Sequence, residues 1–227
     1  MSNNTLRILT ALVGVPLALH MVQAGASEIY LDGKLLYRLG RVGTTPEGEA
    51  AFWDQAYPRV LLLERSRGHV LAVRYSNVST GAFRRLGYGQ GFYLLVGELP
   101  AQIDERVTRE RRIRSMQVFF TMVPLVFSLL HLFLFLCYRR ARENLYYALL
   151  TAFLAAANFL DLQGVFAVSP AERLMTIRWF TIFSVLAFLF GLRAVYSLRG
   201  PWLPKPFFAF LVAGGALVAW RLVEPNA

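Results

Sequence analysis

Four long apolar segments in the C-terminal half constrain this chain more than any other feature. Met116–Tyr138 runs for 23 residues without an Asp, Glu, Lys or Arg. As a helix rising ~1.5 Å per residue it reaches ~34 Å, enough to cross the ~30 Å hydrocarbon core of a bilayer. Asn144–Val168 is interrupted by Asn158, Asp161 and Gln163; Ile177–Leu198 carries Arg178 at one end and Arg193 near the other; Pro206–Val223 is shorter and Gly-rich, with Arg221 near its end. Lipid offers no water to unpaired backbone groups, so such segments fold as helices. The connectors are short, which places successive helices antiparallel. The expectation is an α-helical transmembrane bundle over 116–227, with spans at about 116–138, 144–168, 177–198 and 206–223.

Composition agrees once it is located. The chain is 56% hydrophobic and 17% charged, against about 45–50% and about 25% in a soluble domain. The excess sits in 116–223, whereas 27–115 holds 14 of the 24 basic residues and 10 of the 14 acidic ones. A net charge of +10 raises the question of nucleic acid, but the basic side chains flank apolar runs and accompany no nucleic-acid motif. Nucleic acid is therefore excluded as a partner, and the lipid bilayer is expected. Cys137 is the single cysteine; it forms no intrachain disulfide and reads as a small apolar residue at a helix end.

Residues 1–26 allow two readings. Arg7, the apolar Ile8–Val22 and Ala24-Gly25-Ala26 have the shape of a secretory signal peptide or anchor. Alternatively, "PLALHMVQAGASEIYLDG" is strand running directly into a β-domain. Residues 27–100 read as a small β-sandwich. Asp32-Gly33 between apolar stretches marks a type I′ hairpin. Val60–Glu64 and His69–Tyr75 form a second strand pair, and Phe92–Gly97 is a further strand closed by Pro100. Thr44–Pro58 reads as a long loop. The charged segment 101–115 is a connector of helical propensity leading into the first span.

No catalytic or metal-binding constellation is present in the text. His20, His69 and His131 are scattered, there is no second cysteine, and no nucleophile elbow, P-loop or dinucleotide fingerprint occurs. No enzyme activity and no cofactor are expected. "GYGQG" at 87–91 precedes a strand and reads as a turn. Trp53 and Tyr57 are candidates for stacking on a sugar or another flat ligand, because loops on a rigid scaffold often bind. Arg84 and Arg85 read as a solvated pair. Asp161, with Asn158 one turn earlier, is a candidate for a polar relay in the bundle, against the plainer reading of an interfacial carboxylate. His131 is expected neutral and bonded to a neighbouring helix, Arg193 snorkelling to the interface, and Pro124 kinking its span.

Three pieces in order, "GASEIYLDGKLLYRLGRVG", "HVLAVRYSN" and "YRRARENLYYALLTAFLAAANF", resemble bacterial seven-helix receptors with diverse intracellular signalling modules. The resemblance covers roughly residues 16–224, most specifically Arg139–Tyr147. It implies a jelly-roll-like extracytoplasmic domain, then membrane helices, then a cytoplasmic kinase, cyclase or phosphatase module. The chain holds four spans where that family has seven, and no output module, so it resembles a part of such a receptor. The function implied is signal reception in the bacterial inner membrane, with the β-domain outside. A carbohydrate or other small extracytoplasmic ligand, a cytoplasmic signalling module and a homodimer partner are expected. The charged stretch from Asp104 to Arg114 is the candidate coupler, since a receptor needs an element with two arrangements. The alternative is a transporter or channel component. The positive-inside count does not fix sidedness: six basic residues face seven.

Overall fold

The computed structural model describes residues 2–8, 16–55, 57–63, 68–78, 81, 91–198, 200 and 204–223, with backbone alone at 2–8, 54 and 55. The chain divides into two compact units. The first comprises 1–110 with 166–173 and residue 227, the second 111–165 with 174–226.

The first unit is an antiparallel sheet built around one strand. The strands are β1 (Ser2–Ile8), β2 (Leu17–Leu31), β3 (Lys34–Leu39), β4 (Phe52–Gln55), β5 (Arg59–Leu61), β6 (His69–Ser76) and β7 (Phe92–Glu98). The first half of β2 pairs with β7, from Leu17↔Glu98 to Gln23↔Phe92, and on its other edge with β5 and β4. Its second half, Ala26–Leu31, pairs with β6 and, from Ser27, with β3. β1 adds to β6. With partners on both edges over much of its length, β2 is buried at most positions, and Leu19, Met21 and Ile29 meet Leu61 and Leu71 in the core.

The 26/27 boundary falls inside β2, so residues 17–26 follow the strand reading of the two that the sequence allowed. A strand covered on both faces reads as a continuous apolar run, and that run imitates the core of a signal sequence. The small residues that imitate a cleavage site have another cause. A Cβ at Gly25 would run into the Ser76 carbonyl oxygen and press on the Tyr75 ring. Gly25 is therefore the residue that lets the chain pass between the two halves.

The Asp32-Gly33 turn has φ of 51° and 82°, both positive as a type I′ turn requires. Asp32 fastens the turn to β6: its Oδ1 accepts from the Val70 N–H at 2.8 Å and its Oδ2 meets His69 Nδ1 at 2.7 Å. Two further expectations are corrected. β5 and β6 are not a pair, since β5 joins the first half of β2 and β6 the second. The segment 44–58 is not wholly loop, because Phe52–Gln55 forms β4; a four-residue strand is too short for its alternation to register.

Among the described residues, four helices are long and apolar enough to cross a membrane: α1 (Leu99–Cys137), α2 (Arg142–Val165), α3 (Pro170–Ser197) and α4 (Lys205–Val223). The chain is thus a multi-pass membrane protein by the length and composition of its helices. The connector expected at 101–115 is not separate. It is the first part of α1, opened by Pro100 where a missing N–H costs nothing and held by an Arg106–Glu110 pair at 2.6 Å one turn apart. Its backbone begins on a bond from the Leu99 N–H to the Pro16 carbonyl at 2.8 Å.

Candidate functional site

Among the described residues, groups that carry chemistry beyond packing occur in each unit. In the first unit they gather around β4. The Trp53 backbone N–H donates to the Val168 carbonyl at 3.1 Å. Val168 lies between α2 and α3, in the stretch 166–173 that belongs to the sheet unit. Two residues beyond β4, the Tyr57 ring carries the Arg106 guanidinium 3.5 Å from its centroid, a cation–π contact of close geometry. The two aromatic residues singled out for ligand stacking thus touch the two places where the chain leaves the sheet unit for the apolar helices. Trp53 is half-buried, and one face of Tyr57 is taken by Arg106.

Next to them lies a polar element that sequence reasoning missed. Gln23 is 3% exposed, and its Nε2 lies 3.1 Å from the Gly25 carbonyl and 3.4 Å from those of Leu39 and Phe52. It therefore bridges β3 and β4 across β2. The available signal was an amide inside an apolar strand, where burial without partners is costly. On the sheet's other half, Glu28 accepts from the Tyr30 hydroxyl at 2.8 Å and pairs with Arg38 at 3.2 Å and Arg74 at 3.3 Å. The Tyr30 hydrogen bond, aided by the two guanidiniums against the cost of burial, holds this carboxyl below its usual range.

In the second unit the site is a polar seam between α1 and α2. Asn158 Nδ2 donates to the Phe120 carbonyl at 3.1 Å. That carbonyl is the one a residue at 124 would bond in an unbroken helix, and position 124 is proline, which has no N–H to give. Asn158 replaces the missing donor. Further along, Ser128 Oγ donates to the Ala148 carbonyl at 2.9 Å. His131 Nδ1 lies 3.0 Å from Asn144 Oδ1, with its ring stacked on Tyr147 at 5.2 Å. The Asn oxygen accepts only, so this contact requires the proton on Nδ1. The three contacts follow one antiparallel register, and in lipid each is a point of inter-helix attachment.

The other sequence candidates fall apart from these groups. Asp161 is exposed one turn before α2 ends, whereas Asn158 is turned to α1. Asp104 and Arg114 are both exposed on α1. Arg193 stands near the end of α3 over the Tyr146 ring, 4.4 Å from its centroid. Arg84 and Arg85, with 87–90 of the glycine-rich turn, lie outside the described residues. Among the described residues no group of three His, Cys, Asp or Glu could hold a metal ion. Comparison with protein-family models, with curated proteins and with solved structures finds no match.

Proposed function

We propose that the chain is the sensor part of a membrane receptor. The sheet unit, jelly-roll-like as the resemblance implies, would lie outside a bacterial inner membrane and perceive a small ligand such as a carbohydrate. The helices would carry the change to a cytoplasmic output module. One observation carries this reading: within a few residues of one strand, Trp53 and Tyr57 engage the 166–173 segment and α1, the two routes by which the chain enters its apolar helices. A shift of β4 on ligand binding would act on both at once. α1 supplies the connecting element, since one helix of 39 residues runs from Leu99 to Cys137, with Pro124 inside it.

The test uses the full chain in nanodiscs with an environment-sensitive fluorophore on its one cysteine, Cys137, and a panel of mono- and oligosaccharides. The expected result is a saturable emission change from a sugar that also protects the sheet unit from proteolysis. Insertion of Gly-Gly-Ser after Glu110 should abolish the emission change and leave the protection. An insertion without effect on the emission change sinks the reading. Uptake of the same sugar into proteoliposomes would replace it with transport.

A further inference from the structure

We infer that the end of the helical unit formed by the start of α2 and the finish of α3 binds the phosphate of an acidic phospholipid, between Arg142 and Arg193. Arg193 lies one turn before the end of an apolar helix, and its Nη1 is buried with no hydrogen-bond partner among the described residues. A guanidinium has five N–H donors and stays charged, and a buried donor left unmade is costly. The Arg193 guanidinium lies over the Tyr146 ring, which holds the side chain but satisfies no N–H.

The surroundings define the missing acceptor. Arg142 is one turn before Tyr146 on α2, so the two share a helix face, and Arg142 is exposed. Arg139 and Arg140 precede it in the exposed turn after α1. Among the described residues, the acid next to these four cations in sequence is Glu143, in the first turn of α2, where the helix N-terminus favours it. A cluster of this charge fits an anion, and it lies where two apolar helices end, at the depth of lipid headgroups. Paired guanidiniums match phosphate geometry, and a tyrosine at this depth is the usual interfacial companion. The acyl chains of the same lipid would lie along the exposed apolar side chains of these helices, among them Leu154 and Val195. That continuity favours a phospholipid over free phosphate. The inference requires the helices to cross a bilayer and does not depend on the receptor reading.

The probe is an equimolar mixture of phosphatidylglycerol and phosphatidylcholine presented to the full chain in detergent, with retained lipids counted by native mass spectrometry. Phosphatidylglycerol should be retained about fivefold or more over phosphatidylcholine. Arg193→Gln should lower that preference about fivefold, the contribution of one arginine at an anionic lipid surface, and Arg193→Lys should keep most of it. Arg109→Gln, on the charged part of α1, should change nothing. Phosphatidylglycerol should also raise the Tm of the wild-type chain and not that of Arg193→Gln, which separates lost binding from lost folding. Equal retention of the two lipids by the wild type, or an undiminished preference in Arg193→Gln, overturns the inference. Displacement of the lipid by millimolar inorganic phosphate would do the same, because it would identify a free anion as the ligand.

Discussion

At the scale of single residues, the glycines of β2 and its turn separate two kinds of constraint. Gly25 is fixed by space: an added Cβ meets the backbone oxygen of Ser76, which cannot turn aside. Gly33 has nothing near it and is fixed by its φ of 82° alone. Gly33→Ala should therefore cost about 1–2 kcal/mol, the penalty of a left-handed L-residue, whereas Gly25→Ala should cost about 3 kcal/mol or more through overpacking. Thermal unfolding of the two variants in detergent checks the order; a milder Gly25 variant would mean that the halves of β2 part easily. Gly33 was legible in the sequence because an Asp-Gly pair states its own backbone geometry. Gly25 was not, because its reason is the distant Ser76, and locally it resembles a processing site.

Glu28 gives a residue-scale prediction in pH. Its carboxyl titrates lower in the folded chain than its ordinary value of 4.5, so the unfolded chain binds the proton more tightly. The stabilisation is present above pH 4.5 and is lost as the pH falls through the lower folded value. Glu28→Gln should lose about 1 kcal/mol at neutral pH, a modest figure because Arg38 and Arg74 are half exposed or more. The variant should also show a flatter decline of Tm as the pH falls below 4.5. Parallel curves for the variant and the wild type would show that the pairs around Glu28 contribute nothing net.

At the scale of elements, the helices were legible and their attachments were not. The expected spans fall within a few residues of the observed helices at most ends, because length and lack of charge are local properties. The exceptions are instructive. The charged start of α1 contains no breaker, so helix continues through it; the turn before α3 ends sooner than hydropathy suggests, because Ser169 Oγ accepts from the Glu172 N–H and caps the new helix. Pro124 and Asn158 were each notable in the sequence, 34 positions apart, yet nothing in the text joins them.

Their pairing makes a sharp prediction. If Asn158 serves the carbonyl that Pro124 leaves open, Asn158→Leu should destabilise the wild-type chain by about 1 kcal/mol, within the range of inter-helix hydrogen bonds in membranes. In a Pro124→Ala background position 124 regains its N–H, the Phe120 carbonyl is satisfied within α1, and Asn158→Leu should cost close to nothing. A double-mutant cycle on unfolding in detergent isolates this coupling. Equal costs in both backgrounds would show that Asn158 acts on α1 in some other way.

At the scale of the whole molecule, the sheet unit and the helical unit were both visible as a contrast in composition, while sidedness was not, because basic residues divide almost evenly between the two sets of loops. The chain contains its own reporter for that question. Cys137 is its single cysteine and is exposed, and it closes α1 after the apolar stretch that begins at Met116. One crossing therefore separates Cys137 from Ser115, which is exposed on the other side of that stretch. With the sheet unit outside, a membrane-impermeant maleimide should leave Cys137 unlabelled in intact spheroplasts and label it after permeabilisation. In a Cys137→Ala chain carrying Ser115→Cys, the same reagent should label intact spheroplasts directly. The reverse pattern would place the sheet unit in the cytoplasm. Labelling of both positions in intact spheroplasts would mean that α1 does not cross the membrane, and the length of its apolar stretch would then need another partner.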